Sequence, residues 1–146
     1  MENIDGGIVI MEKKLKRGIT ASCFDLLHAG HILMLKEAKS VCDHLVVALQ
    51  VDPTIDRPEK NKPVQSYYER WVQLSAVKYV DEIIPYSTEE ELNTILQNYD
   101  IDIRILGDEY KNKQFTGSYL DMEYHYNKRT HGYSSTELKN RIKSLV

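Results

Sequence analysis

Ile19-Thr20-Ala21-Ser22-Cys23-Phe24-Asp25-Leu26-Leu27-His28-Ala29-Gly30-His31 is the stretch whose reading decides the fold of this chain. Ile19, Ala21 and Phe24 read as a short buried strand, and Ile32, Leu35, Ala38 and Val41 or Cys42 recur at helical spacing. His28 and His31 therefore fall on the first turn of the helix. Positions three apart share a helical face, so the two imidazoles would stand side by side. First-turn amides and the helix dipole add partial positive charge at the same place, which suits an anion such as a phosphate. Ala29 and Gly30 are small enough for a ligand to approach the backbone. The same residues also fit a surface histidine beside a helix-capping histidine, the commoner case for an arbitrary His-x-x-His. A zinc site is the weaker alternative, because Cys23 and Cys42 lack metal-type pairing and no His-Glu-x-x-His occurs.

Outward from this stretch, strands are expected near 17–22, 45–51, 82–86, 102–106 and 121–126, and helices near 29–41, 66–79, 89–98 and 135–145. Strands alternating with helices imply a parallel α/β architecture. Ser66 with Glu69, Thr88 with Glu91, and Ser134 with Glu137 fit the capping-box pattern at three helix starts. In the 66–79 helix, Tyr68, Val72, Ala76 and Tyr79 are expected to form the buried stripe, with Trp71 packing beside them. Gly107, directly after the run Ile101 to Leu106, fits a turn at a strand's carboxyl end, where open parallel sheets bind ligands. The fold expected is a Rossmann-like three-layer sandwich. Its parallel five-stranded sheet has order 3-2-1-4-5, with the site at the crossover beside strand one. Residues 1–16, with Gly6-Gly7 and a lysine-rich end, are expected to form an N-terminal extension to a domain spanning 17–146: a short strand, a dimer contact or an inert tail.

Composition narrows the function classes. The 146 residues suit one domain, 42% hydrophobic content supports a core, and 28% charged content keeps the surface polar. A net charge of −3 with no basic run speaks against nucleic acid as a partner. Two cysteines offer no disulfide framework, which suits a reducing compartment. No apolar run approaches the length of a membrane span, and Gly7 to Met11 is too short for a signal-peptide core, so a cytoplasmic location is expected. The segment Gln50 to Gln65, with Pro53, Pro58 and Pro63 among mixed charges, reads as a mobile loop or a proline-stiffened connection.

Phe24-Asp25-Leu26-Leu27-His28-Ala29-Gly30-His31 resembles the His-x-Gly-His signature of the nucleotidyltransferase superfamily. About a hundred residues on, Arg129-Thr130-His131-Gly132-Tyr133-Ser134-Ser135-Thr136 is similar to the Arg-Thr-x-Gly-x-Ser-(Ser/Thr)-Thr segment of glycerol-3-phosphate cytidylyltransferases. Lys78 to Pro85 and Leu106 to Tyr110 also look like segments of that family. The chain departs from the pattern at Lys78, where arginine is common, at His131, where glutamate is common, and at Tyr133, where isoleucine or valine is common.

The resemblance implies attack by a small molecule's phosphate oxygen on the α-phosphorus of a nucleoside triphosphate, with release of pyrophosphate. Catalysis would be mostly positioning and electrostatics. His28, His31, Lys60 and Arg129 are the implied catalytic residues. Nucleotide contacts are implied for Cys23, Phe24, Gly107, Asp108, Thr130, Ser134, Ser135 and Thr136, and acceptor contacts for Lys60, Lys62, Arg70 and Lys78. Asp25 is expected to orient its loop through backbone amides, and Asp108 and Glu109 to serve base or ribose recognition. Magnesium would arrive with the triphosphate, since no dedicated metal cage is legible. CTP with glycerol 3-phosphate is the expected pair, feeding wall or capsule polymers. Alternatives are an adenylyltransferase using ATP and a sugar phosphate, similar to ADP-heptose synthases, and a noncatalytic nucleotide-binding module. The stretch Tyr79 to Pro85 resembles one placed at the family's dimer contact, implying a homodimer.

Overall fold

The computed structural model describes residues 14–146. The expected extension therefore lies almost wholly outside the described residues. Five strands, β1 (Arg17–Ser22), β2 (His44–Gln50), β3 (Glu82–Tyr86), β4 (Ile103–Gly107) and β5 (Glu123–Asn127), alternate with α1 (Ala29–Ser40), α2 (Tyr67–Ser75), α3 (Glu89–Asn98) and α4 (Ser135–Lys143), except that β4 is followed by a 3-10 turn, Asp108–Tyr110, and then directly by β5. The sheet is parallel throughout, in the order β3-β2-β1-β4-β5. β1 is therefore central, and the strand order reverses beside it.

Two cores flank the sheet, as the period of two along a strand requires. Leu45, Val47 and Leu49 of β2 join Ile103 and Ile105 of β4 under Leu35 and Ala38 of α1 and Leu74 of α2. Val46 and Ala48 face the other way, with Ile19 and Ile84, against Leu92, Ile95 and Leu96 of α3. Burying each such large aliphatic side chain is worth about 1.5–3 kcal/mol. α4 contributes no buried residue and is held through its amino end.

The helix starts follow local chemistry with two revisions. Ser66 and Glu69 form the full reciprocal capping box. At α3, Thr88 accepts from the Glu91 amide, but the Glu91 carboxylate turns to the Ser87 amide. At α4, Ser134 accepts from the Glu137 amide, while the Glu137 carboxylate pairs with Arg141.

α2 is shorter than expected, and its buried face differs. It ends at Ser75, and Tyr67, Arg70, Leu74 and Val77 turn inward, leaving Tyr68, Trp71, Val72 and Ala76 exposed. Hydrophobicity alone misassigned the stripe, because the inward position at the centre of this helix belongs to an arginine. Arg70 is 1% exposed. Its guanidinium donates to the carbonyls of Cys23, Gln50, Val51 and Gln65 at 2.5–3.2 Å.

Arg70 therefore does not face the cleft as an acceptor ligand; it joins the ends of β1 and β2 to the segment before α2. Replacing it leaves buried carbonyls without donors, at about 1–3 kcal/mol for each group left unpaired. Arg70→Met should lower the Tm by at least about 5 °C, at roughly 2–4 °C per kcal/mol for a chain of this size. A melting curve superimposable on that of the parent chain would refute this role.

Candidate active site

The turn from β1 to α1 runs through Phe24 and Leu26, whose φ values are +48° and +52°. Left-handed backbone at two non-glycine residues costs free energy and persists only where surroundings impose it. Here they do. Asp25 accepts from the amides of Val64 and Gln65 at 2.8 and 2.9 Å, and the Leu26 amide donates to the Gln65 side chain at 2.8 Å. Asp25 orients the loop through backbone amides, as expected. Phe24, expected to contact nucleotide, instead drops into the core at 1% exposure, its ring centroid 5.3 Å from that of His31. It supports the histidine from below.

His28 is the N-cap of α1. Its Nδ1 accepts from the Gly30 amide at 3.0 Å, and His31 Nδ1 accepts from the His28 amide at 3.2 Å. The rings stack with centroids 3.9 Å apart. The capping reading and the ligand reading are thus compatible. An imidazole that accepts at Nδ1 carries its proton on Nε2 when neutral, so each ring keeps an Nε2–H donor free of the cap. Burial lowers the His28 pKa, helped by the neighbouring charges of His131 and Arg129. Burial also pulls His31 down to about 4, with His28 adding to the effect. Both rings are neutral donors at neutral pH. Unlike the other three helices, α1 has no acidic residue in its first turn to oppose an incoming anion.

The α4 amino end closes over this turn. Ser135 Oγ donates to the Asp25 carbonyl at 3.2 Å, and Arg129 donates to the Tyr133 carbonyl at 2.7 Å. His131, which sequence reasoning left aside, completes the wall. A Cβ on Gly30 would meet His28 Cε1 at 2.8 Å and His131 Cε1 at 3.0 Å, so only glycine fits between the rings. His131 Nδ1 accepts from the Tyr133 amide at 3.1 Å, leaving its Nε2–H available as well. A third imidazole thus stands at the site.

A single cleft of about 1660 Å³ runs along the carboxyl edge of the sheet. It brings together Cys23, His28, His31, Lys60, Gly107, Asp108, Arg129, Thr130, Ser134 and Ser135 from the expected set. Thr136 lies within α4 and does not line the cleft. Lys62 also stays outside the lining, exposed and 3.9 Å from Asp52. Lys78 is a clear correction. α2 runs antiparallel to the strands, so a residue between its end and the start of β3 emerges at the amino edge of the sheet, opposite the cleft. There Lys78 lies 5.3 Å from the Tyr79 ring centroid. Cys23 follows β1 rather than ending it, and burial raises its thiol pKa.

Asn127 is a second residue that sequence reasoning passed over. It ends β5 opposite Gly107, is 6% exposed, lines the cleft, and has neither side-chain polar atom hydrogen-bonded. Its only sequence signal was a polar residue closing an aromatic strand. Among the described residues, no group of three or more His, Cys, Asp or Glu is placed to hold a metal ion, and no helix is long and apolar enough to cross a membrane.

Two helix amino ends drawn together at the switch point of a parallel sheet, with neutral imidazoles between them, can hold a polyphosphate chain while leaving one phosphorus open to attack. That arrangement defines the class as nucleotidyltransferases. The chain belongs to the cytidylyltransferase-like family, whose model matches residues 19–141. It is 37% identical over 131 residues to glycerol-3-phosphate cytidylyltransferase of Bacillus subtilis (strain 168), covering 90% of this chain and 100% of that one. It is 35% identical over 125 residues to bifunctional protein HldE of Helicobacter pylori (strain HPAG1), covering 85% of this chain and 27% of that one. Among solved structures, the lipopolysaccharide core biosynthesis protein from Thermoplasma volcanium GSS1 superposes with a TM-score of 0.57 at 26% identity, over 90% of this chain and 89% of that one.

The histidine environment predicts an acid limit to stability. The His31 pKa falls from 6.5 in the unfolded chain to about 4 when folded, so the unfolded state binds the proton more readily. Stability is then full above pH 6.5 and declines as pH falls toward 4. His31→Gln should flatten the Tm-against-pH curve across that window; a variant curve parallel to the parent's would contradict the assignment.

Proposed function

We propose that this chain transfers a cytidylyl group from CTP to glycerol 3-phosphate, forming CDP-glycerol and pyrophosphate. A phosphate oxygen of the acceptor attacks the α-phosphorus, and the bond from that phosphorus to the α,β-bridging oxygen breaks. The acceptor phosphate is already ionised, so no general base is needed. The observation that carries the reading is the pair of neutral Nε2–H donors at the start of α1. Such donors gain on the α-phosphate as charge builds on its non-bridging oxygens, and their fixed cap geometry avoids reorganisation during the step.

Arg129 and Lys60 supply the cleft's flanking positive charge for the triphosphate and acceptor. The α4 amino end, with Ser134 and Ser135, receives the leaving pyrophosphate, and reorientation of Ser135 Oγ away from the Asp25 carbonyl would free it for that contact. Magnesium enters as part of the substrate, bound to the triphosphate. With their Nδ1 atoms used in the cap and protons on Nε2, the histidines are donors to phosphate rather than metal ligands. The choice of CTP and glycerol 3-phosphate rests on similarity to the Bacillus subtilis enzyme along its whole length. A homodimer built on the stretch Tyr79 to Pro85 suits the place of β3 at a sheet edge, beside the exposed Tyr68 and Trp71 of α2. The product would serve wall or capsule polymers.

Pyrophosphate release should be measured with magnesium and CTP, ATP, GTP or UTP, each crossed with glycerol 3-phosphate, sugar 1-phosphates, phosphocholine and phosphoethanolamine. Turnover confined to CTP with glycerol 3-phosphate is expected; ATP with a sugar phosphate would replace the substrates and keep the mechanism. Silence across the panel from folded protein would overturn the reading. His28→Ala should reduce turnover by about 10²–10³-fold or more, the scale seen when one preorganised donor is removed. Near-normal turnover in a folded variant would refute its role.

A further inference from the structure

Arg104 is the second residue of β4, where its neighbours Ile103 and Ile105 pack into the α1 and α2 core. Alternation sends its side chain to the α3 face of the sheet. It is 5% exposed, and among the described residues no carboxylate lies within ion-pair distance of it. Its Nη1 donates to the Thr116 carbonyl, and the guanidinium lies 5.1 Å from the Phe115 ring centroid. Those contacts leave Nε and Nη2 unused. A buried guanidinium without a counter-ion is costly, and retention of one at a cleft wall calls for an oxygen-rich ligand.

The surrounding wall has the same unmet demand. Arg57 pairs with Glu89 at 3.2 Å, and Asn93 donates to the Tyr119 hydroxyl at 2.6 Å. Arg57 Nε, Glu89 Oε2 and Asn93 Oδ1 are nevertheless buried without partners. Arg57, Glu89, Asn93 and Arg104 all line the cleft that holds the histidine pair. Gly117, at φ +81°, lets the loop pass over Arg104: a Cβ there would stand 2.6 Å from Leu96 Cδ1 and 3.2 Å from Arg104 Nη1. A free guanidinium edge in a lobe lined by other polar side chains fits hydroxyl groups, which both donate and accept.

We propose that this α3-side lobe is the acceptor subsite, in which Arg104 donates to oxygens on the hydroxylated tail of a phosphorylated polyol or sugar. Glu89 and Asn93 border that tail from α3, and the acceptor's own phosphate reaches the histidine pair. Arg104, without a counter-ion of its own, disfavours a tail ending in a quaternary ammonium. This inference rests on the nucleotidyl-transfer reading and adds Arg104 as the residue that contacts the acceptor's tail.

The test is steady-state kinetics on the full chain, with glycerol 3-phosphate varied at saturating CTP and CTP varied at saturating glycerol 3-phosphate, for the parent, Arg104→Met, Arg104→Lys and Asn93→Leu. Arg104→Met should raise the KM for glycerol 3-phosphate by about tenfold or more, because a site built to bond ligand oxygens loses its donor. The KM for CTP should move by less than about threefold, and Arg104→Lys should recover part of the loss. An unchanged acceptor KM, or equal rises for both substrates, would overturn the proposal. If Arg104→Met fails to fold, Asn93→Leu reads the same subsite, and a normal acceptor KM there has the same consequence. Calorimetric binding of glycerol 3-phosphate to the parent and Arg104→Lys separates the two readings. Weakened binding in the variant supports the subsite even if no nucleotide pair turns over, and equal binding refutes it. Preference of the parent for phosphocholine would overturn this inference and leave nucleotidyl transfer standing.

Discussion

The bonds from the Arg70 guanidinium to four backbone carbonyls are the constraint on which the rest of the site depends. Where strands of a parallel sheet end and their connections leave in different directions, terminal carbonyls lose their ladder partners. At the switch point beside β1, such carbonyls belong to Cys23, Gln50 and Val51. A planar side chain with five donors can serve several of them at once, which the tetrahedral lysine ammonium does less well. Because Gln65 is held by the same group, the segment that Asp25 grips is fixed relative to β1 and β2. The strained turn through Phe24 and Leu26 then has little freedom, and the histidine pair inherits its position.

Given that position, the electrostatics follow from small choices. Three helices place glutamate in their first turn and so neutralise their own amino ends. α1 places histidines there instead, and its cap is made of rings whose outer nitrogens remain donors. Burial keeps those rings neutral at neutral pH. The flanking charges of Arg129 and Lys60 stand in the same cleft. His131 adds a third ring at the point where Gly30 leaves room for it.

Legibility of the site varied with how local each interaction is. The His28–His31 pair and the Ser134 cap were readable because their spacing encodes a helix start within a few residues. Asp25 was readable as a loop organiser from its place in a tight turn. Phe24 was readable as buried from the apolar pattern it closes; the nucleotide contact came only from the resemblance, and the ring instead turns under a histidine. Arg70 was given an acceptor contact by the resemblance, and only the converging strand ends reveal four carbonyls waiting for donors. Lys78 failed through direction, because a sequence position does not say which edge of the sheet a loop occupies until the helix before it is placed.

By itself the sequence determined the alternation of strands and helices, the helix caps, and the two signatures whose separation places the chain in its family. These properties are set by periodicity and short-range hydrogen bonding, which act within a turn or two of the chain. Tertiary structure alone decided which face of α2 is buried, that Arg70 is a brace, that His131 and Asn127 border the cleft, and that Arg104 lies unpaired beneath the 114–119 loop. Those outcomes depend on contacts between segments tens of residues apart, where burial removes water as a partner and leaves each polar group to find a substitute within the fold.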